Sequence, residues 1–446
     1  MLRPWPHQQQ ALRDLLLGHS ALWWEPGAGK TLPLALAGAE AGGRQLWVTL
    51  GMLRDQAARD IEQARGRCSI QIIRSQSDTI ASGADVVIVS YDLIRSAPIW
   101  RQAFGMRWSS MVCDEAHALK EGRSLRTRAI YGATRESQGA LHRKADRVWV
   151  ATGTPMVNHP GDLYTHISRL WPHLLPGAGR KQDWVDTYCV TRRTQFGLQI
   201  VGGRRLDELQ ALLKRCGTVV KLEDVARDLP ALTVDEVPVQ LTEEHRAALA
   251  AAMTEEQERE LVGLLAAIDG GSAKAEAALQ GLLLPLASAR RVLALAKAAP
   301  TAARVAAELE GGLDRVIVFG SHVEALKTAA EALARFGGRL VTGETPPEKR
   351  QRDIQSFVAG QVRVLVANTS VAGTGLNLQA CRRIVFLDST WTPAANTQAI
   401  RRCHRAGQRR PVHVSFVSVA GSVDEQVQRT LARKAALVNA LMGGAE

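Results

Sequence analysis

Short apolar runs separated by helical patterns recur through both halves of the chain, and they constrain its fold more than any other feature. In the first half the runs are residues 46–50, 86–89, 111–113 and 148–150. In the second half they are residues 315–319, 339–341, 362–366, 383–387 and 412–417. Runs that are apolar on both faces predict parallel strands covered by helices on both sides. The sequence therefore predicts an α/β protein with two parallel-sheet units, whose ligands lie at the carboxyl ends of the strands.

One of these runs ends in two adjacent carboxylates, Asp114 and Glu115, and His117 follows them. A strand that ends in an Asp-Glu pair suits a phosphate-hydrolysing site, because one carboxylate can hold Mg²⁺ while its neighbour polarises the attacking water. An isolated Asp-Glu pair more often begins an exposed helix. The hydrolytic interpretation therefore depends on a phosphate-binding partner elsewhere in the chain.

A glycine-rich stretch upstream supplies that partner. Gly27 and Gly29, on either side of Ala28, allow successive backbone N–H groups to turn towards an anion. Lys30 can reach the terminal phosphates, and the Thr31 hydroxyl can ligate a metal ion. A chance glycine-rich turn is the alternative, and the Asp-Glu pair downstream makes it the weaker one.

Length, charge and cysteine content set broad limits. The chain has 446 residues, enough for two or three domains, and a composition of 46% hydrophobic and 22% charged residues excludes wholesale disorder. Its 56 Lys and Arg against 44 Asp and Glu should attract polyanions. Six scattered cysteines without a C-x-x-C pair predict free thiols in a reducing cytoplasm. Without an apolar signal segment or membrane-spanning run, a cytoplasmic protein with no membrane partner is expected.

The middle of the chain departs from the strand and helix alternation. Residues 166–235 are rich in Trp, Pro, Gly and Arg and predict a basic helical insertion, with a solvated surface that has no partner as the alternative. Residues 236–310 are rich in Ala, Leu and Glu and predict a helical connection, broken at Gly270 and Gly271 and again near Pro300. The predicted domains are 1–165, 166–235, 236–310 and 311–446.

The last of these domains carries two further motifs. Small residues at 372–378, including Gly375, allow the backbone to approach a ligand or the other lobe. Arg402 and Arg405 are three residues apart on a predicted helix and should share one face. Two guanidinium groups together could stabilise the charge that develops on a γ-phosphate, or could equally form a surface cluster. Because only the first lobe has a Gly-Lys-Thr loop, ATP is expected between the two lobes.

Taken together and in this order, the motifs resemble the core of a superfamily 2 helicase of the Swi/Snf type. The matching segments are the Gln segment at 6–8, motif I at 27–31, a DEAH-form motif II at 114–117, motif III at 152–155 with Asn158, motif V at 372–378 and motif VI at 398–408. The resemblance implies two RecA-like lobes with helical insertions between them. It is closest to the annealing-helicase, HARP-like branch, to which short stand-alone cores encoded by phages and prophages are similar. The stretches that support this branch are 195–197, 224–230, 386–388 and 391–393.

The resemblance also implies ATP and Mg²⁺ as cofactors and assigns roles to residues. Gln8 would read adenine, Asp114 and Thr31 would hold Mg²⁺, and Glu115 would activate water. Residues 27–31 would hold the phosphates, with Lys30 also acting in catalysis. Arg402, Arg405 and Gly375 would complete the site from the second lobe. The residues that would couple hydrolysis to movement are His117, Thr152, Thr154 and Gln398.

Two residues depart from the patterns. Trp24 occupies the leading position of the phosphate-loop pattern, where Gly is usual, and Arg401 stands where the family usually has Asp in motif VI. Both departures bear on nucleotide affinity and on coupling between the lobes.

The resemblance favours a DNA-dependent ATPase that translocates on duplex DNA as a monomer, through phosphate contacts that do not depend on base sequence. Any targeting to particular DNA structures would come from a protein partner or from the insertion. A strand-separating helicase on DNA or RNA is one alternative, and it would need a wedge hairpin that the sequence does not announce. A scaffold that only docks nucleic acid is the other, and it would be expected to have lost at least one of Lys30, Asp114, Glu115, Arg402 and Arg405.

Overall fold

The computed structural model describes residues 3–134, 139–156, 159–194, 197–226, 229–269, 282–369, 378–390, 393–405, 407–420, 422 and 424. Its described residues form two compact units, the first from 1–190 and 202–227 and the second from 191–201 and 228–435. All six cysteines are free thiols, as the sequence predicts. Among the described helices, none combines the length and the apolarity needed to cross a bilayer.

A seven-stranded parallel sheet organises the first unit. The strands in this part of the chain are β1 Ser20–Trp24, β2 Gln45–Thr49, β3 Ile70–Ile72, β4 Val86–Ser90, β5 Trp108–Asp114, β6 Ala145–Thr152, β7 Cys189–Thr194, β8 Gly197–Gly203 and β9 Gly217–Val220. The sheet order is β3-β4-β2-β5-β6-β1-β9, whereas β7 and β8 pair separately. Every pairing within the seven-stranded sheet is parallel, which confirms the predicted sheet type.

Helices connect these strands. They are α1 Pro6–Leu17, α2 Thr31–Glu40, α3 Arg54–Arg65, α4 Tyr91–Ile94, α5 Ala97–Phe104, α6 Leu125–Tyr131, α7 Tyr164–Leu170, α8 Lys181–Tyr188, α9 Leu206–Cys216 and α10 Leu222–Val225. Apolar clusters cover both faces of the sheet, and adjacent Trp23 and Trp24 of β1 belong to opposite clusters. Both indoles are fully buried. Since burying one large side chain contributes about 2–3 kcal/mol, β1 is firmly fixed where it leads into the glycine-rich loop.

The segment 166–235 is only partly the helical insertion that its sequence predicts. It contains α8, α9 and α10, but also β9, which pairs with β1, and the two-strand pair β7–β8. Gly217 explains why β9 can join the sheet, because a Cβ at this position would lie 2.0 Å from the Ala21 carbonyl oxygen. The strands were missed because each is short or borders a helix. The domain boundaries themselves stay predictions.

A six-stranded parallel sheet organises the second unit. Its strands are β10 Leu232–Val239, β11 Val316–Gly320, β12 Arg339–Val341, β13 Val364–Asn368, β14 Arg383–Phe386 and β15 Val412–Val419, in the order β10-β15-β14-β11-β13-β12. The helices of this part are α11 Glu243–Ala252, α12 Glu255–Asp269, α13 Leu283–Glu310, α14 Val323–Ala332, α15 Pro347–Val358 and α16 Pro393–Cys403. Five of the strands are those predicted. The sixth, β10, is an edge strand and is mostly exposed, so it lacks the apolar run that marks the others.

The helix break predicted near Pro300 is wrong, because α13 runs through this residue without interruption. A proline inside a helix removes one backbone hydrogen bond and strains the preceding turn. Here Ala294, Ala298, Ala302 and Val305, spaced along one face of α13, are buried in the core of the second unit. Packing on both sides of the proline therefore outweighs the local cost. The predicted break at Gly270 and Gly271 lies outside the described residues.

Candidate functional site

The glycine-rich loop of the first unit joins β1 to α2. Gly27 and Gly29 adopt positive φ angles of 92° and 79°, which favour glycine. Such left-handed positions allow neighbouring backbone N–H groups to converge on an anion, and the start of α2 at Thr31 adds the positive end of a helix dipole. The Lys30 ammonium donates to the carbonyl oxygens of Trp24 at 3.0 Å and Glu25 at 3.4 Å, so it lies back over the loop.

The first turn of α1 holds this loop by its carbonyl groups. The His7 Nε2 atom lies 3.0 Å from the Ala28 carbonyl oxygen, and Gln8 Nε2 donates to the Gly29 carbonyl at 3.0 Å. The other end of the Gln8 amide accepts from the Trp5 N–H at 2.8 Å. Gln8 is buried, and a Cβ at residue 29 would lie 2.5 Å from its Nε2 atom. Gln8 therefore fixes the loop in this structure, with both ends of its amide engaged.

Trp24, which replaces the leading glycine of the phosphate-loop pattern, lies in the sheet and not in the loop. Trp24 is the last residue of β1, and its indole N–H donates to the Thr218 hydroxyl oxygen at 2.7 Å. The next residue still pairs with β9, because the Glu25 N–H donates to the Val220 carbonyl at 3.0 Å. Since the chain is extended here, no glycine is needed at the leading position.

Asp114 ends β5 beside the loop. Its carboxylate accepts from the Thr49 hydroxyl at 3.1 Å and from the Glu115 N–H at 3.0 Å. Burial, chiefly, and the neighbouring Glu115 charge raise the pKa of Asp114 to about 6, while the Lys30 ammonium acts in the opposite direction. The structure thus brings the carboxylate and the loop lysine within electrostatic reach of each other.

Glu115 turns the chain sharply away from the sheet. It has φ 50° and ψ 48°, a left-handed conformation that is uncommon for a residue with a side chain. The turn leads into a short 3-10 helix, Ala116–Leu119. His117 Nδ1 lies 3.4 Å from Glu115 Oε2 and 3.2 Å from the Thr152 hydroxyl. The Asp-Glu segment is therefore connected to the end of β6.

The end of β6 is itself ordered by a side chain. The Thr152 hydroxyl accepts from the Thr154 N–H at 3.1 Å, and both residues are buried. Gly153 between them approaches the phosphate loop, because a Cβ at this position would lie 2.7 Å from the Pro26 ring. The first-lobe residues that the sequence singles out thus meet at one edge of the first sheet. Asn158 lies outside the described residues.

In the second unit, α16 carries Gln398 and Arg402 but ends at Cys403, so Arg405 lies beyond it. The prediction that both arginines share one helix therefore differs from the structure. The His404 N–H still donates to the Ile400 carbonyl at 2.9 Å, so Arg405 directly follows the last helical hydrogen bond, and His404 Nε2 lies 2.7 Å from the Pro230 carbonyl oxygen. Arg405 Nε is buried and has no hydrogen-bond partner among the described residues.

Arg401, the departure from motif VI, lies on α16, and its Nη1 atom is 2.9 Å from His404 Nδ1. Residues 372–377, with Gly375, lie outside the described residues.

Gln408 closes motif VI and was not given a role from the sequence. Its buried amide donates to the carbonyl oxygens of Gln379 at 2.8 Å and of Cys381 and Cys403 at 3.2 Å each. It also accepts from the two backbone N–H groups that follow it. Gln408 thus joins the residues after motif V to those beside Arg402. A glutamine within a basic segment gives no sequence signal for such a role.

The pair of strands β7 and β8, called here the β7–β8 ribbon, was also missed. Arg192 and Arg193 on β7 are exposed and form no hydrogen bond or ion pair with any other described residue. Leu198 on β8 is exposed as well. The turn at 195–196 lies outside the described residues. A two-strand element with unpaired cations and an exposed apolar side chain suits contact with a polyanion that also presents apolar surfaces.

Comparisons with known proteins agree with this arrangement. Residues 47–291 match the SNF2-related domain, and residues 303–407 match the helicase conserved C-terminal domain. The chain is 27% identical over 372 residues to the SWI/SNF-related matrix-associated actin-dependent regulator of chromatin subfamily A-like protein 1 of Xenopus tropicalis, covering 80% of this chain and 35% of that protein. It is 24% identical over 371 residues to a DNA annealing helicase and endonuclease of Mus musculus, covering 81% and 33%.

The chain spans about a third of the length of these curated relatives. Among solved structures, it is similar to a Sulfolobus solfataricus SWI2/SNF2 ATPase core in complex with dsDNA. The two chains are 19% identical, with a TM-score of 0.44 and coverage of 99% of this chain and 94% of that one.

Proposed function

Because the chain belongs to the SNF2-related family, whose domain description matches residues 47–291, we propose that it is an ATP-dependent translocase on double-stranded DNA that remodels or reanneals DNA. One observation carries the proposal. In the first unit, a glycine loop held by its carbonyl groups and the Lys30 ammonium lie beside the half-buried carboxylate of Asp114. This is the arrangement that a nucleoside triphosphate with a divalent cation requires.

The residues of the first unit fit Mg²⁺. Asp114 is a desolvated carboxylate whose charge a cation would offset, and Thr31 offers a hydroxyl at the start of α2. We propose these two as the protein ligands of the ion. When bound, Mg²⁺ neutralises phosphate charge and fixes the phosphate geometry.

Gln8 has two proposed roles that can be separated. It anchors Gly29, and the family resemblance assigns it to adenine recognition. Since both ends of its amide are engaged by Trp5 and Gly29, adenine reading requires that one of these hydrogen bonds be exchanged for the base. Gln8 therefore links base recognition to the position of the phosphate loop.

Hydrolysis is assigned to Glu115, which we propose orients and activates the attacking water. Its backbone is left-handed where β5 ends, and His117 Nδ1 lies close to both the Glu115 carboxylate and the Thr152 hydroxyl. His117, Thr152, Thr154 and Gln398 are proposed as coupling residues. Arg402 and Arg405 are proposed to stabilise the charge of the transition state. The buried Nε of Arg405, which has no described acceptor, is consistent with a ligand-facing role.

The DNA partner is proposed from charge as well as from family. The net charge of +12 favours a polyanion, and Arg192 and Arg193 of the β7–β8 ribbon have no acidic partner among the described residues. Contacts to phosphates do not depend on base sequence, so translocation needs no sequence recognition.

The β7–β8 ribbon favours a second candidate function, strand separation. The helicase alternative needs an element that can enter between strands, and among the described residues we propose this two-stranded ribbon as the candidate. A scaffold without enzymatic activity has no comparable support, since the nucleotide residues of the first unit are arranged for binding.

Two assays with the same protein distinguish the candidates. A translocase should displace the third strand of a DNA triplex when ATP is supplied, and it should leave a forked duplex paired. The Glu115→Gln variant serves as the control, because it should bind ATP without hydrolysing it. Unwinding of the fork by the wild type would contradict the translocase proposal and favour the helicase. If that unwinding were lost in an Arg192→Ala, Arg193→Ala variant, the ribbon would be the separating element.

Reannealing needs its own assay. Complementary strands held apart by a single-strand-binding protein should be rewound only when ATP is hydrolysed. Rewinding that is equally fast with Glu115→Gln would show passive annealing and would remove this part of the proposal.

A further inference from the structure

Arg405 is placed by a turn and not by a helix. The helix α16 ends at Cys403, so Arg405 follows its last residue by two positions. The Arg405 carbonyl oxygen accepts from the Gln408 N–H at 3.0 Å, and this hydrogen bond joins the two ends of a turn, called here the motif VI turn. Helical spacing therefore does not set the position of Arg405 relative to Arg402. The position of Arg405 depends instead on the contacts that hold residue 408.

The Gln408 side chain anchors this turn from the inside. The residue is 6% exposed, and its amide nitrogen lies within hydrogen-bond distance of three carbonyl oxygens, those of Gln379 at 2.8 Å and of Cys381 and Cys403 at 3.2 Å each. Its amide oxygen accepts from the backbone N–H groups of the next two residues at 3.0 and 3.1 Å. A displaced side chain would leave these buried polar groups without partners, so the network resists movement of residue 408.

The short segment 378–381 binds the backbone near both arginines. Leu378 is fully buried, and its N–H donates to the Arg402 carbonyl oxygen at 3.1 Å. Gln408 donates to two carbonyl oxygens of the same segment. The approach is close, because Gly407 adopts φ 96° and a Cβ at this position would lie 3.1 Å from the Gln379 Nε2 atom. The backbone of Arg402 is thus bound to this segment directly, and that of Arg405 is bound to it through Gln408.

We infer that Gln408 is a positioning residue for hydrolysis, which fixes the backbone of Arg405 relative to that of Arg402 so that both guanidinium groups act on the same phosphate. This inference rests on the proposed ATPase function and on the transition-state role proposed for the two arginines. A small displacement of a catalytic group lowers turnover by about 10²-fold, although the group itself is still present. Loss of the Gln408 amide should therefore slow hydrolysis without removing either guanidinium group.

The chain contains a matched control for Gln408. Gln45 is a fully buried glutamine whose amide donates to the Leu34 carbonyl oxygen at 3.3 Å and accepts from the Arg65 guanidinium at 2.6 Å. It begins β2, so it lies at the amino end of its strand, whereas Asp114 ends β5. Replacing either glutamine with Met removes the hydrogen bonds of a buried amide and keeps a side chain of similar length. Only the change at residue 408 frees the motif VI turn.

The test compares full-length wild type, Gln408→Met, Gln45→Met, Arg405→Ala and the double variant Gln408→Met, Arg405→Ala. The turnover number is measured with saturating duplex DNA and Mg²⁺, nucleotide Kd with a fluorescent ATP analogue, and Tm by thermal unfolding. Gln408→Met should lower turnover by about 10²-fold with nucleotide Kd nearly unchanged. Gln45→Met should lower Tm comparably and keep turnover within about twofold of the wild type. Once Arg405 is absent, Gln408→Met should lower turnover by less than about twofold more, because a residue that acts through Arg405 has no further effect without it.

Equal turnover in the two Met variants, wild-type turnover in Arg405→Ala, or a full further loss in the double variant would overturn the inference while leaving the ATPase intact. A wild type that hydrolyses no ATP would instead overturn the proposed function and the inference with it. Should Gln408→Met not fold, Gln408→Glu provides the second test. Its carboxylate keeps the shape and still accepts from the next two N–H groups, but it has no N–H to donate to the three carbonyl oxygens. That variant should also lower turnover at unchanged nucleotide Kd, and unchanged turnover would again overturn the inference.

Discussion

Replacing Asp114 with Asn should stabilise the nucleotide-free protein at neutral pH relative to the wild type, while abolishing hydrolysis. Burial raises the pKa of Asp114 from an ordinary value of 3.8 to about 6. Each unit of pKa shift corresponds to about 1.4 kcal/mol, so keeping this carboxylate ionised costs the folded state about 3 kcal/mol. The asparagine side chain has the same shape and carries no charge. The asparagine loses one of the two hydrogen bonds that Asp114 accepts from Thr49 and Glu115, which lowers the stability by about 1 kcal/mol at any pH.

The sign of the pH dependence separates these two contributions. The pKa of Asp114 is raised in the folded state. Between pH 3.8 and about 6, the Asp114 carboxyl is therefore protonated in the folded protein and ionised in the unfolded protein. The wild type therefore loses about 3 kcal/mol of stability relative to Asp114→Asn as the pH rises through this window. The cost of the lost hydrogen bond does not depend on pH, so it changes the stability difference between the two proteins by the same amount at every pH.

Urea unfolding of both proteins between pH 4 and pH 8, with EDTA and without nucleotide, measures this difference. Tryptophan fluorescence is a suitable signal, because nine of the ten tryptophans lie within residues 1–190, as does Asp114. The stability of the variant relative to the wild type should rise with pH and level off above about pH 6 to 7. A difference that stays constant across this range would refute the claim that burial penalises the Asp114 charge.

The remaining predictions concern catalysis. Lys30→Ala should weaken ATP binding and slow turnover together, because its charge acts on both the ground and the transition state, whereas Glu115→Gln should keep ATP bound and stop hydrolysis. Nucleotide binding and steady-state ATPase assays check both, and wild-type turnover in the Gln variant would remove the role of Glu115. Removing Arg402 or Arg405 should lower turnover by about 10³-fold while leaving nucleotide binding to the first unit intact, without additivity in the double variant. Unchanged turnover in both single variants would remove the proposed role of these arginines in the transition state.

The strands that the sequence predicts share a physical cause. Central strands of parallel sheets are buried on both faces, so they appear as continuous apolar runs, such as 86–89 and 364–366. Of the missed strands, β1 is buried on both faces but runs directly into the glycine-rich loop, whereas β9 and β10 lack this signature. β10 is an exposed edge strand, and β9 has only four residues and depends on Gly217 for its approach to β1. The helix α13 continues through Pro300 because residues on both sides of the proline pack into the core, which the local sequence pattern does not show.

At the proposed site, sequence motifs single out the candidate residues but not how they are held. The Gly-Lys-Thr loop and the Asp-Glu pair are recognisable because their chemistry demands those residue types at fixed spacing. Gln8 holds the loop because its side-chain amide donates to the Gly29 carbonyl, 21 residues away, and this contact exists only in the folded chain. The buried amide of Gln408 likewise gives no sequence signal, since only the folded chain brings it to the Gln379 carbonyl, 29 residues away.

The rate of ATP hydrolysis with duplex DNA, single-stranded DNA, forked DNA and RNA tests the proposed duplex translocase most directly. Duplex DNA should give the largest stimulation, and random and repetitive duplexes should stimulate equally. The duplex concentration for half-maximal stimulation should rise steeply with salt, since binding releases counterions from the phosphates. Stimulation by RNA alone, or a rate that no nucleic acid changes, would contradict the account of this protein as a duplex DNA translocase.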